Sequence, residues 1–336
     1  PTENLGLRVL NEVPYRLSDG ATGKPVALQV LTVEAADGSP VDLDRTAPLL
    51  TATAEWLWAG AIENDGFNRL VLRAGLEWRH IALLRAYAKY LRQTGIPFSQ
   101  EYMERTLTAW PAIASGAVDL FAARFDPALG KAQSAARKAR IVGIEAGLAT
   151  ELDKVTTLDE DRILRRFINA MQCTLRTNYF QGREWISFKI DSRSIDELPA
   201  PRPLVEVFVY SPRMEGIHLR GGRVARGGIR WSDRREDFRT EILGLMKTQV
   251  VKNAVIVPTG SKGGFYVKQP PVGGTREQIQ AEAIACYRTL IRGLLDITDN
   301  YVDGEMKPPA GVVRHDGDDP YLVVAARSEE HTSELQ

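Results

Sequence analysis

The chain has 336 residues, long enough for two or three domains and a sizeable core, with 44% hydrophobic and 26% charged residues, as in a folded globular protein. Lys plus Arg and Asp plus Glu each total 43, so no global charge draws the chain to nucleic acid or to a membrane. Any binding preference must come from local clustering.

In chain order, residues 6–17 (GLRVLNEVPYRL) and 26–35 (VALQVLTVEA) alternate apolar and polar positions around a Gly-containing turn, which predicts a β-hairpin. Two strands are marginal alone, so the hairpin is expected to belong to a larger sheet. From 46 to 181 the texture is helical. Helices are predicted at 52–62, 68–94, 98–109, 111–123, 130–148 and 158–176, with Gly95 and Pro97 stopping the second. Thr157 and Glu160 have the spacing of a capping box. Trp56, Trp58, Trp78 and Trp110 read as packing residues, and KAQSAARKAR (131–140) as a solvated helix face. Beyond 184 the pattern turns to strands: WISFKI (185–190), LVEVFVY (204–210) and GIHLR (216–220). A helix, a strand (254–257) and a helix at 276–296 follow, so an α/β domain is expected from about 182 to 326. An Asp-, Gly- and Pro-rich connection (296–320) has the length of functional loops, and YLVVAA (321–326) reads as a buried strand.

The chemistry concentrates at 220–264. Two Gly-Gly pairs, 221–222 and 227–228, permit tight turns and close approach, and Arg220, Arg223, Arg226 and Arg230 crowd cations around them. A carboxylate or phosphate site, RGG-type nucleic-acid binding and a charged surface turn all fit this pattern. Ser232 or Asp233 is placed to cap a helix with Phe238, Ile242, Leu245, Met246 and Val250 on its apolar face. That helix ends at Lys252. The loop TGSKGG then places Lys262 at a strand mouth, where burial and neighbouring cations would lower its pKa.

Other chemistries lack a pattern. The loop has no GxxxxGK[ST] order and no GxGxxG follows a strand. Cys173 and Cys286 lie outside any CxxC pattern, and His80, His218, His315 and His331 have no His or Cys partner at ligand spacing. Reduced thiols, no metal site and a cytoplasmic location are expected. No run of about 18 apolar residues occurs.

The string EGIHLRGGRVARGGIRWSDRREDFRTEILGLMKTQVVKNAVIVPTGSKGGF closely resembles the catalytic core of the large NAD-specific glutamate dehydrogenases. The resemblance implies that Arg226 and Lys252 bind the substrate carboxylates and that Lys262 is catalytic. Arg226 stands where smaller relatives carry Lys. The implied reaction is reversible oxidative deamination of L-glutamate to 2-oxoglutarate and ammonia with NAD, in a homo-oligomeric enzyme without nucleic-acid or membrane partners.

The implied fold is a multidomain α+β and α/β fragment. It comprises an ACT-like remnant (1–46), a helical region (47–181) and an α/β substrate domain (182–326), with no NAD-binding Rossmann domain. Two departures stand out. Arg327 follows Ala326 where the family pattern calls for Asp. The segment RSEEHTSELQ (327–336) resembles a translated sequencing adapter and is expected to be an artefact that packs poorly. A fragment of this kind is expected to be inactive alone; a small-anion or amino-acid binding module using the same cations is the alternative reading.

Overall fold

The computed structural model describes residues 2–18, 20, 23–253 and 259–322, with side chains of 249–253 excepted. Among these residues no helix is long and apolar enough to cross a membrane.

The hairpin pairs β1 (Leu7–Ser18) with β2 (Pro25–Ala35) in antiparallel register from Leu7 opposite Ala35 to Ser18 opposite Pro25. Only Leu7 and Ala35, at its base, are buried. Apolar residues such as Leu10, Tyr15, Leu28 and Val30 are exposed along its length.

The helical layer holds α1 (Leu43–Trp58), α2 (Leu70–Ala74), α3 (Trp78–Gln93), α4 (Gln100–Ala109), α5 (Pro111–Phe125), α6 (Ala135–Leu152) and α7 (Leu158–Gln172). The single helix expected over 68–94 is broken at Gly75. Gly75 adopts a left-handed conformation (φ 63°) and its N–H closes on the Leu70 carbonyl, a C-cap that ends α2 although the apolar spacing runs on. The expected capping box of α7 does not form either: Thr157 makes no side-chain cap bond. Glu160 instead accepts from the indole N–H of Trp110 at 3.1 Å, a donor that would otherwise go unsatisfied in a partly buried site. The predicted final turn of α7 is strand, because 174–177 find a sheet partner.

The sheet has six strands: β3 (Thr174–Thr177), β4 (Ile186–Ile190), β5 (Val205–Tyr210), β6 (Met214–Arg220), β7 (Ile229–Ser232) and β8 (Ser261–Val267), in the order β3-β4-β5-β6-β8-β7. It is mixed. Neighbours from β3 to β8 are antiparallel, and β7 alone runs parallel to β8. A crossover helix, α8 (Phe238–Asn253), joins that parallel pair, as parallel strands require. One face packs against α3, α7 and α8. There the Tyr87 ring stacks on Phe188 at 4.2 Å, and Phe238, Ile242 and Met246 join the same core. The other face is covered by α9 (Arg276–Leu295), whose Leu290 and Leu294 pack with Val209, Met214 and Phe265. Each such fully buried side chain contributes about 1.5–3 kcal/mol. Thr275 and Gln278 form a full capping box on α9.

Several expectations are settled differently or fall outside the described residues. Helix α8 starts at Phe238 rather than beside Ser232, which lies inside β7. The expected strand 254–257 lies outside the described residues. So do 323–326 and the 327–336 tail, while Tyr321 and Leu322 are irregular. Within 296–320 a short ribbon forms from β9 (Asn300–Val302) and β10 (Glu305–Lys307).

Candidate active site

Lys262 is not in a loop. It sits in β8 opposite Leu219, and it is 6% exposed. The Gly-Gly that reads as a turn is a packing device. A β-carbon on Gly264 would lie 2.2 Å from Ile242 Cδ1, and one on Gly263 would lie 2.9 Å from Ile229 Cγ1. The glycines let α8 and β7 approach the strand closely. Glu206, Leu219 and Lys262 form one row across β5, β6 and β8, so alternation puts Lys262 on the face that α8 covers.

Arg226 enters from the segment that leads into β7. It bridges Gly260 in parallel, and its carbonyl accepts from the Ser261 N–H at 3.2 Å. One register step on, the Gly228 carbonyl accepts from the Gly263 N–H at 2.9 Å. The parallel register gives Arg226 and Gly260 the same facing as Lys262, and the Arg226 side chain is exposed. Gly227 between them is held to glycine by space: a β-carbon would sit 1.7 Å from the Ser261 carbonyl oxygen. Lys252 lies in the last turn of α8, on the path by which the chain returns to the start of β8. Its side chain lies outside the described residues. The structure therefore places Arg226 on the segment leading into β7, bridged to Gly260, two residues before Lys262 in β8.

The expected crowd of four arginines is divided. Arg220 lies on the opposite face, where Nη1 meets Asp319 Oδ1 at 3.0 Å and the Tyr321 carbonyl at 2.7 Å. Arg230 Nε is 2.6 Å from Glu241 of α8, and the Ser232 hydroxyl is 2.6 Å from the same carboxylate. Arg223 and Arg226 are the two left exposed. Arg220, buried, and Arg230, with a side chain 41% exposed, thus each have a carboxylate within ion-pair distance.

Sequence reasoning missed the ionic network behind the site. Arg176, with no exposed surface, donates to Asp299 Oδ1 and Oδ2 at 2.9 and 3.0 Å, to Asp316 at 2.6 Å and to the carbonyls of Ile297 and Gly317. Lys189 bonds Asp316 at 2.5 Å and Asp319 at 2.7 Å. Burial raises the Asp319 carboxyl, but Arg220 and Lys189 outweigh it and hold it at about 2. Burial, reinforced by Arg220, pushes the nearby His218 down to about 4, so it is neutral at pH 7. The connection 296–320 is thus pinned to the sheet end where β8 begins. Its signal in the sequence was the Asp-rich run 316–319, with no indication of which cations it would meet.

Two further buried ionic groups join the sheet to the helices. Glu206 and Arg239, 0% and 2% exposed, meet at 2.9 Å through Oε2 and Nε, with the Tyr90 hydroxyl donating to the same carboxylate. Glu63 is paired with Lys268 and receives the Tyr210 hydroxyl at 3.1 Å. Lys268 also lies 3.2 Å from Glu215, and Lys89 of α3 lies 3.8 Å from Glu63.

The site is thus a helix-flanked mixed sheet that carries cations beside glycines admitting close approach. Residues 147–333 match the family described as bacterial NAD-glutamate dehydrogenase, catalytic domain. Residues 62–127 match glutamate dehydrogenase helical motif 3, and 2–46 match the glutamate dehydrogenase ACT3 domain. The chain is 52% identical over 330 residues to the NAD-specific glutamate dehydrogenase of Pseudomonas aeruginosa, covering 96% of this chain and 20% of that protein. It is 48% identical to those of Halomonas elongata and Mycobacterium tuberculosis, over 20% and 21% of their lengths. The chain belongs to the bacterial NAD-glutamate dehydrogenase family. It spans about a fifth of the length of the curated relatives it matches.

Proposed function

We propose that this chain supplies the amino-acid-binding part of an NAD-dependent glutamate dehydrogenase, an enzyme that interconverts L-glutamate with 2-oxoglutarate and ammonia. The observation that carries this reading is the bridge of Arg226 to Gly260, two residues before Lys262 in β8, within a chain of this family. Arg226 and Lys252 bind the two carboxylates of the substrate. Fixed cations suit a dianion and align its α-carbon. Lys262 is the group that polarises the substrate carbonyl or activates the attacking water. The same proposal reads 1–46 as an ACT-like module, 47–181 as a helical region and 182–326 as the substrate domain of a cytoplasmic homo-oligomer.

NAD is the hydride acceptor that the family name implies, and it supplies the redox chemistry when bound. The one strand-to-helix turn of the β7–α8–β8 unit reads Asp233-Arg234-Arg235-Glu236-Asp237. It has no glycine, carries three carboxylates and does not fit a pyrophosphate.

Calorimetric titration of the 336-residue chain with 2-oxoglutarate tests the proposal. Arg226→Ala and Lys262→Ala should each weaken binding by about tenfold or more. Affinity unchanged in both variants sinks the assignment.

A further inference from the structure

A cavity of about 830 Å³ lies between the base of the hairpin and the helical layer, far in sequence from the strands that carry Lys262. Its walls come from the linker after β2, the first turn of α1, the end of α2 and the junction of α4 with α5. This size suits a small-molecule ligand.

The lining is strongly cationic. Arg45, Arg69, Arg73 and Arg105 all border the cavity. Arg73 is paired with Asp37. Among the described residues, no carboxylate lies within ion-pair distance of Arg45, Arg69 or Arg105. The only other carboxylate in the lining, Asp42, caps α1 by accepting from the Arg45 N–H. Three of the four, Arg45, Arg73 and Arg105, are exposed and Arg69 is half-buried, and each offers a planar fork for carboxylate or phosphate at the rim of this one space.

Three further observations favour an anion at this place. Gly75 lies directly under one guanidinium: a β-carbon there would meet Arg45 Nη2 at 2.4 Å. The lack of a side chain leaves room for Arg45 against the backbone. Thr46, 8% exposed, borders the cavity and brings a hydroxyl-bearing side chain to its wall. The 15-residue helix α5 starts at the cavity with Pro111 at its first position and no side-chain cap. Its N-terminal dipole and the Ala112 N–H are therefore available to an acceptor.

We propose that this cavity binds a small polyanion, a di- or tricarboxylate or a phosphate, held by Arg45, Arg69 and Arg105 at the uncapped start of α5. The ligand clamps the hairpin base to the helical layer and is distinct from the substrate of the sheet site.

Calorimetry on the 336-residue chain tests this with citrate, inorganic phosphate and acetate. Saturable one-to-one binding of citrate or of phosphate, tighter than acetate, is expected, and the stronger of the two identifies the anion's chemistry. The double variant Arg69→Ala/Arg105→Ala should weaken that binding by about tenfold or more. Ala112→Asp places a carboxylate where it favours the helix and opposes an anion. It should maintain or raise the thermal midpoint while weakening binding by a similar factor, which separates ligand loss from misfolding. Lys262→Ala should leave citrate and phosphate binding unchanged. No saturable heat with either anion, undiminished affinity in Ala112→Asp, or loss of binding in Lys262→Ala would overturn the proposal.

Discussion

Gly227 lies so close to Ser261 that a β-carbon on it would sit 1.7 Å from the Ser261 carbonyl oxygen. The obstacle is backbone, so no neighbouring side chain can yield. Gly227→Ala should part β7 from β8 and destabilise the chain by about 3 kcal/mol in urea unfolding. Gly264→Ala meets the Ile242 side chain instead. It should cost about 1–3 kcal/mol, and Ile242→Ala should show favourable coupling to it in a double-mutant cycle. Equal costs with no coupling would mean that these positions need glycine for backbone conformation rather than for space.

The Glu206–Arg239 pair is buried on both sides. Arg239→Met leaves a carboxylate without its cation, so a loss of about 3–5 kcal/mol is expected. Glu206→Leu combined with Arg239→Met should recover most of it, because the desolvated charge is gone. A double variant no better than Arg239→Met, measured by thermal unfolding, would contradict this account.

Arg176 ties the connection 296–320 to the sheet through five donor contacts. Arg176→Met should raise hydrogen exchange across 296–320, while amides of β5 and β6 keep their protection. Exchange rising equally in β5 and β6 would show that the network supports the whole domain instead.

Stability should fall with acid in two stages. His218 is held down at about 4 in the fold, against an ordinary value of 6.5. The unfolded chain therefore binds its proton first, and stability declines from pH 6.5 to about 4. Burial raises Glu63, but Lys268, Lys89 and Arg85 outweigh it and bring it to about 2 from 4.5. Its contribution, on the order of 3 kcal/mol, is present above pH 4.5 and lost as the pH falls to about 2. Asp319 adds to this lower stage. His218→Gln should flatten the upper stage and Glu63→Gln the lower one, followed by denaturant midpoints from pH 7 to 2.

Local signals were legible where they were long and periodic. The hairpin, the helices around α3 to α7 and the strands at 186–190, 205–210 and 214–220 follow from alternation and three-to-four spacing. Glycine misled twice, in opposite ways. Gly75 sits inside an apolar helical pattern yet ends α2, and Gly263-Gly264 looks like a turn yet lies in a strand. In both cases the deciding term is what lies beside the residue in space. Capping was similarly ambiguous: Glu160 serves Trp110, fifty residues away, rather than its own helix end.

By itself the sequence determined that glycines and cations concentrate within 220–264, residue types that suit a small anion. These depend on composition and short-range order, which a chain displays without folding. Tertiary structure decided that Lys262 is a buried strand residue, two positions along from the Gly260 that Arg226 bridges. It also decided that Arg220 and Arg230 are taken by Asp319 and Glu241, and that four distant arginines gather around one cavity. A cation's role depends on which carboxylate reaches it and how much water remains, and both are set by pairing across long stretches of chain.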